Sequence, residues 1–284
     1  MQRLSQNINA IFYILLAMFI LALQDICIKL ISSDTNLFLI FFFRSSVGII
    51  VILLFLKFTK RPIILKTHYP ILTLVRCSVF FIGFSCIFLS LSILTYPIAV
   101  TLFFASPLFV TILSKIFLKK NIGLERWIAV LTGFLGVYLV MNPEFNNFNI
   151  YTILPVLAAL AYATTIVIQH KTADKDTVFT QTFHLLFAAA LLSLIMGIIF
   201  GNGQFNTYES KALQFMFRKW EISFDIILVF FIAIGLAFSI GVLMLFQAYR
   251  IAFPPSIAPF EYTLIIYALF FSWIIWGETI DSHS

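Results

Sequence analysis

Long runs of apolar residues, each broken by a few polar ones, recur along the chain from end to end. A run of about 20 apolar residues is long enough to cross a hydrocarbon core roughly 30 Å thick. Alternation with a period of two is missing, so the runs predict helices whose backbone bonds close within each segment. Nine spans are expected, at approximately 10–31, 37–56, 70–92, 97–118, 124–142, 150–170, 178–200, 226–249 and 255–276. Prolines 97, 155, 254 and 255 fall at or near span starts, where a missing N–H is tolerated. Pro107 falls inside a span and is expected to bend it.

Composition sharpens this into a fold class. The chain is 62% hydrophobic and 11% charged, with a mean hydropathy of +1.05. A soluble domain has about a quarter of its residues charged, so no water-facing surface can be built from this chain. The expected fold is an all-α integral membrane protein, a polytopic helix bundle. The net charge of +6 does not point to nucleic acid, because the basic residues sit in loops between spans. Counting alternate loops, one side holds 11 Lys and Arg and the other holds 3, all within one longer loop. The basic side faces the cytoplasm, which puts the N-terminus there and the protein in a bacterial inner membrane. The longer loop contains the amphipathic stretch 208–224, which reads either as an interfacial helix or as a solvated loop. The three cysteines give neither a disulfide framework nor a metal motif.

The chain also matches itself. At an offset of 142, Lys29, Asp34 and Thr35 fall on Lys171, Asp176 and Thr177. At an offset of 158, Ile82, Gly83 and Pro97 fall on Ile240, Gly241 and Pro255. Two units are therefore expected, at 1–142 and 149–284. The first has five spans, an odd number, so the second enters the membrane in the opposite sense. Such an inverted 5+5-type repeat forms two related half-channels around a midplane site in many secondary transporters. The counterpart of Glu125–Met141 would begin near residue 283, so the second unit is expected to be truncated before its last, tenth helix.

The segments 107–140, 246–278, 24–30 (QDICIKL) and 41–48 (FFFRSSVG) resemble the EamA-type branch of the drug/metabolite transporter superfamily. The resemblance covers nearly the whole chain. It implies ten helices in two halves and the carriage of a metabolite such as an amino acid, riboflavin or S-adenosylmethionine. It does not select among them.

Ionisable residues inside spans cost at least about 2.5–3.5 kcal/mol each on insertion scales, so each needs a reason. Asp25 and Arg44 lie roughly 9–10 Å from the outer ends of their spans, and Arg76 and Glu261 roughly 9 Å from the cytoplasmic ends, at about 1.5 Å per residue. Together with Lys29 they are candidates for the substrate and coupling pathway, with Gln24, Gln247, Tyr249 and Tyr262 as polar lining. Structural alternatives exist for each. Asp25 and Lys29 are spaced i,i+4 and could pair on their own helix. The arginines could snorkel, and Glu261 could be a hydrogen-bond partner only. His184 reads as a proton relay or as a bond to a neighbouring helix. Gly133–Gly136 (GFLG) permits close helix packing, with a homodimer contact as the second reading.

No phosphate-binding loop, HExxH or GxSxG occurs, and the histidines are scattered. The expected function is secondary-active transport of a small metabolite by alternating access, without a cofactor. The expected partners are that small-molecule substrate, membrane lipid and a proton or counter-substrate. An intramembrane enzyme lacks a catalytic cluster, and a structural subunit leaves the inverted repeat unexplained.

Overall fold

The computed structural model describes residues 2–31, 34–90, 94, 96–119, 121–141, 150–207, 211–221 and 226–276. The first half consists of α1 (Gln2–Ile31), α2 (Leu37–Phe58), α3 (Pro70–Ser90), α4 (Tyr96–Phe103), α5 (Ser106–Leu118) and α6 (Leu124–Met141). The second half consists of a 3₁₀ turn at Ile150–Thr152, α7 (Ile153–Thr172), α8 (Val178–Phe200), the short α9 (Lys211–Phe217), α10 (Ile226–Ile251), α11 (Pro254–Ile257), a 3₁₀ segment at Ala258–Tyr262 and α12 (Thr263–Trp276). Among the described residues there are no strands, and eight segments are long and apolar enough to cross a membrane. The protein is a polytopic all-α membrane protein. The eighteen-residue α6 stands where the sequence predicts a further span and is about 27 Å long. Gly277 and Glu278, at the end of the 246–278 segment, lie outside the described residues.

As expected for a proline inside a span, the helix is interrupted within one turn of Pro107, while Ile98–Leu118 remains long enough to cross as one segment. The chain breaks at Phe104–Ala105, and Pro107 sits in the first turn of α5, where its missing N–H costs nothing. A second break lies at the 3₁₀ segment before α12, which starts at Thr263.

Helix pairing follows the two-copy numbering. α1 packs along α10 and α3 along α7, α2 lies against α8, and the α4–α5 pair meets α7 as the α11–α12 pair meets α1. Two glycines at corresponding places allow close approach between helices. A Cβ on Gly83 of α3 would stand 2.6 Å from the Ala161 Cβ of α7, and one on Gly241 of α10 would stand 2.9 Å from the Leu21 side chain of α1. In hydrocarbon no water is released between helices, so such close backbone contact is a main source of association. Gly133 also packs closely, but within the chain: its face is covered by the Tyr262 ring, whereas Gly136 meets nothing within 4 Å.

Candidate functional site

The charged and polar residues within the spans fall into two groups, one around Glu261 and one around Arg44. In the first group, Pro259 and the 3₁₀ turn bring Glu261 out of helical register and bury it to 4% exposure. Its Oε1 accepts hydrogen bonds from the Tyr162 hydroxyl of α7 at 2.7 Å and the Tyr249 hydroxyl of α10 at 2.5 Å. No basic side chain forms an ion pair with it among the described residues. Tyr262 donates to the Val130 carbonyl at 3.3 Å, and Gln247 is half-buried two residues from Tyr249.

Arg76 lies at a similar depth but is engaged elsewhere. Its Nη2 donates to the Gln181 carbonyl at 2.7 Å, and its guanidinium stands 5.4 Å from the Phe246 ring centre. Gln181 donates to Thr172 and to the Gln169 carbonyl, both at 2.9 Å, and Gln169 donates to Gln181 and to the Phe246 carbonyl at 3.0 Å. The structure therefore separates Arg76 from Glu261 and gives each its own polar neighbours. Sequence reading missed Tyr162, Gln169 and Gln181. Two glutamines and a tyrosine inside apolar spans were the available signal, but only the fold shows that they converge.

In the second group, Arg44 is 1% exposed on α2 and Gln24 is 3% exposed on α1. The Asp25 carboxylate accepts from Gln24 Nε2 at 2.9 Å, so its hydrogen bond comes from the adjacent residue and not from Lys29, which is exposed one turn further on. Asp25 and Arg44 are within electrostatic range of each other. His184 bonds the Thr180 carbonyl of its own helix at 2.8 Å rather than a neighbouring helix.

The two ends of the bundle are each closed by a latch. At one end Asn36 caps α2 by accepting from the Phe38 and Leu39 amides, while its Nδ2 donates to the carbonyls of Met216 and Arg218, both at 2.7 Å. Trp220 Nε1 donates to Asn36 Oδ1 at 3.1 Å, and Arg218 donates to the Thr35 carbonyl. The predicted interfacial stretch is therefore partly helical, as α9, but it is bound into the bundle by Phe215 and Trp220. Residues 208–210 and 222–224 of that stretch lie outside the described residues.

At the other end, Asp176 accepts from the His68 amide at 2.8 Å, the His68 ring Nδ1 at 3.0 Å and the Thr67 hydroxyl at 2.5 Å. Thr180 donates to the Ile64 carbonyl and Tyr69 to Asp174. Burial alone would raise the Asp176 pKa, but these donors outweigh it and hold the carboxyl below its ordinary value. Every bond of the two latches joins loops that the helix count puts on the same face.

The comparisons agree with this architecture. The EamA-like transporter family matches residues 8–142 and again residues 149–284. An S-adenosylmethionine uptake transporter of Rickettsia prowazekii is 26% identical over 281 residues, covering 99% of this chain and 89% of that protein. A riboflavin transporter of Vibrio cholerae is 26% identical over 237 residues, 82% of this chain and 72% of that protein. A pseudopaline exporter of Pseudomonas aeruginosa is 21% identical over 94% of this chain and 87% of its own length. A solved crystal structure with 13% identity shares the fold with a TM-score of 0.75, covering 98% of this chain and 90% of that one. The paired matches span both halves of the helix bundle, and the chain belongs to the EamA-like transporter family.

Proposed function

We propose that this chain is a secondary-active carrier of a small metabolite, working by alternating access in a bacterial inner membrane with its N-terminus in the cytoplasm. The observation that carries the reading is the pair of latches. One hangs on Asn36 at the start of α2 and the other on Asp176 and Thr180 at the start of α8, loops that correspond at the offset of 142. In an inverted repeat such a pair lies at opposite membrane faces, and releasing one while the other holds is what alternating access requires. The equivalent contacts at Gly83 and Gly241 support the same two units, 1–142 and 149–284.

Glu261 is the residue to carry coupling. Among the described residues it is an acid with two tyrosine donors and no cation partner, at a 3₁₀ break that also touches α1, α5 and α6 of the first half. Loading and releasing a proton, or exchanging it for a cationic group of the cargo, would bias the two access states. Arg44, Asp25, Lys29, Arg76, Gln24, Gln247 and Tyr262 line the remainder of the path. The leading cargo is S-adenosylmethionine, taken up as the Rickettsia relative's name states, since that relative aligns with almost the whole chain. Riboflavin is the second reading, favoured by the Vibrio relative. The exposed apolar faces meet lipid, and α6, exposed at Leu131, Leu135 and Leu139, is where a second copy would pack.

Uptake of radiolabelled S-adenosylmethionine and riboflavin into proteoliposomes, with and without a proton gradient or internal cargo, is the test. Accumulation driven by a gradient or by exchange is expected for one of them. Transport unaffected by either would refute a coupled carrier. Orientation is checked separately in intact cells: Thr59→Cys should resist an impermeant thiol reagent and Asp34→Cys should react.

A further inference from the structure

Among the described residues, two of the Arg44 guanidinium nitrogens have no hydrogen-bond partner. Arg44 sits seven residues into α2, about 10 Å from the end of the helix. Its guanidinium carbon is 3.8 Å from the Phe238 ring centre, 4.4 Å from Phe41 and 5.8 Å from Phe84. Aromatic faces attract the charge, but they offer no lone pairs to N–H groups, and Nε and Nη1 are buried without a hydrogen-bond partner. Two unpaired, charged donors beside aromatic rings are suited to the oxygens of an anion. Two further polar atoms nearby in the chain, Gln24 Oε1 and Ser45 Oγ, are also buried and unpartnered.

Asp25 supplies the opposite charge without reaching the arginine. Ion pairs form at His68–Asp176 and Lys219–Glu221, and none joins Asp25 to Arg44. Asp25 is nevertheless accessible, and its position says to what. The lipid-facing stripe of α1 is formed by Ile8, Phe12, Phe19, Leu23 and Leu30. At about 100° per residue, Asp25 lies roughly 130° round the helix from the middle of that stripe. It shares the protein-facing side with the buried Ile14, Met18 and Ile28, so the space it meets is inside the bundle. Gln24 Nε2 holds the carboxylate in place at 2.9 Å.

We propose that Arg44 and Asp25 together bind the α-amino-acid head of the cargo, with Arg44 taking its carboxylate and Asp25 its ammonium. This rests on the carrier reading given above and adds the chemical group that these residues recognise. A simple anion would be repelled by Asp25 and a simple cation by Arg44. A zwitterion satisfies both at once and adds no net charge to a low-dielectric site. A flavin has no such head group, so the site favours amino-acid-bearing cargo over riboflavin.

The test uses matched probes on the purified full chain, with binding measured by calorimetry and transport in proteoliposomes. The carboxylate-bearing probes are S-adenosylmethionine and methionine. Their partners are decarboxylated S-adenosylmethionine and 3-(methylthio)propylamine, with riboflavin as the probe without a zwitterionic head. The wild type is expected to bind a carboxylate-bearing probe about 10- to 100-fold more tightly than its decarboxylated partner. Arg44→Met should keep or raise the Tm, because replacing an unpaired buried charge by an apolar side chain removes a desolvation cost. It should erase that discrimination while changing affinity for the decarboxylated probe by no more than about twofold. If Arg44→Met does not fold, Arg44→Lys keeps the charge and should lose about tenfold on carboxylate-bearing probes alone. Asp25→Asn should weaken every amine-bearing probe. A charge-removed variant that still discriminates overturns the site. So does transport of riboflavin with no binding of any carboxylate-bearing probe, which leaves the carrier reading standing. Binding that depends on Arg44 without transport of any probe overturns the carrier reading and leaves the site.

Discussion

The Asp176 carboxylate, in the loop between α7 and α8, gathers the His68 backbone amide at 2.8 Å and the His68 ring nitrogen at 3.0 Å from the linker between α2 and α3. This ties together two loops over 100 residues apart in sequence and closes one end of the helix bundle. Because the Asp176 pKa is depressed in the folded state, the latch is fully stabilising above the unfolded Asp pKa of about 4. It is lost as pH falls through the depressed folded value. Asp176→Ala should remove this acid dependence and loosen the end of α3, where Cys77 is buried at 4% exposure. Maleimide labelling of Cys77 should rise several-fold; an unchanged rate would mean that the latch does not gate access.

The opposite latch depends on Asn36, which both caps α2 and holds the segment carrying Trp220. Asn36→Ala should cost about 1–3 kcal/mol, combining a lost cap with unpaired buried carbonyls. Thermal unfolding in detergent would read this as a Tm several degrees lower. Asn36→Asp keeps the cap but loses both Nδ2 donors, so its Tm should fall between the two.

Glu261→Gln keeps the size and the acceptor for Tyr162 and Tyr249 while removing titration. Gradient-driven accumulation of cargo should be abolished, with Tm and membrane insertion preserved. Tyr249→Phe should leave transport partly active with a shifted pH profile. Accumulation by Glu261→Gln at the wild-type rate, with unchanged pH dependence, would assign Glu261 a purely structural role.

The two corresponding glycines should differ in tolerance. A methyl at Gly83 meets the Ala161 Cβ at 2.6 Å and the α7 backbone behind it, neither of which can move alone. One at Gly241 meets Leu21, whose side chain can rotate away. Gly83→Ala should therefore cost about 1–3 kcal/mol and Gly241→Ala clearly less. Equal losses of Tm in the two variants would show that α1–α10 is packed as rigidly as α3–α7.

Much of this protein was legible before folding was considered, because the bilayer imposes strict one-dimensional rules. Apolar runs must be helices of a certain length, so the spans and the all-α class follow from local sequence alone. The offsets that pair Gly83 with Gly241 and Asp34 with Asp176 were also visible, although not that those places are a helix contact and a latch. Tertiary structure decided the partners. Depth along a helix can be counted from sequence, but direction around it and distance across the bundle cannot. Arg76 and Glu261 therefore share a depth and still take different partners, one a glutamine carbonyl and the other two tyrosines. Arg44 looked like a residue able to reach for headgroups, yet packing against Phe41 and Phe238 fixed it in the interior with its donors unspent. Sequence determined which charges enter the membrane, and only the packing of distant helices determined what each one faces.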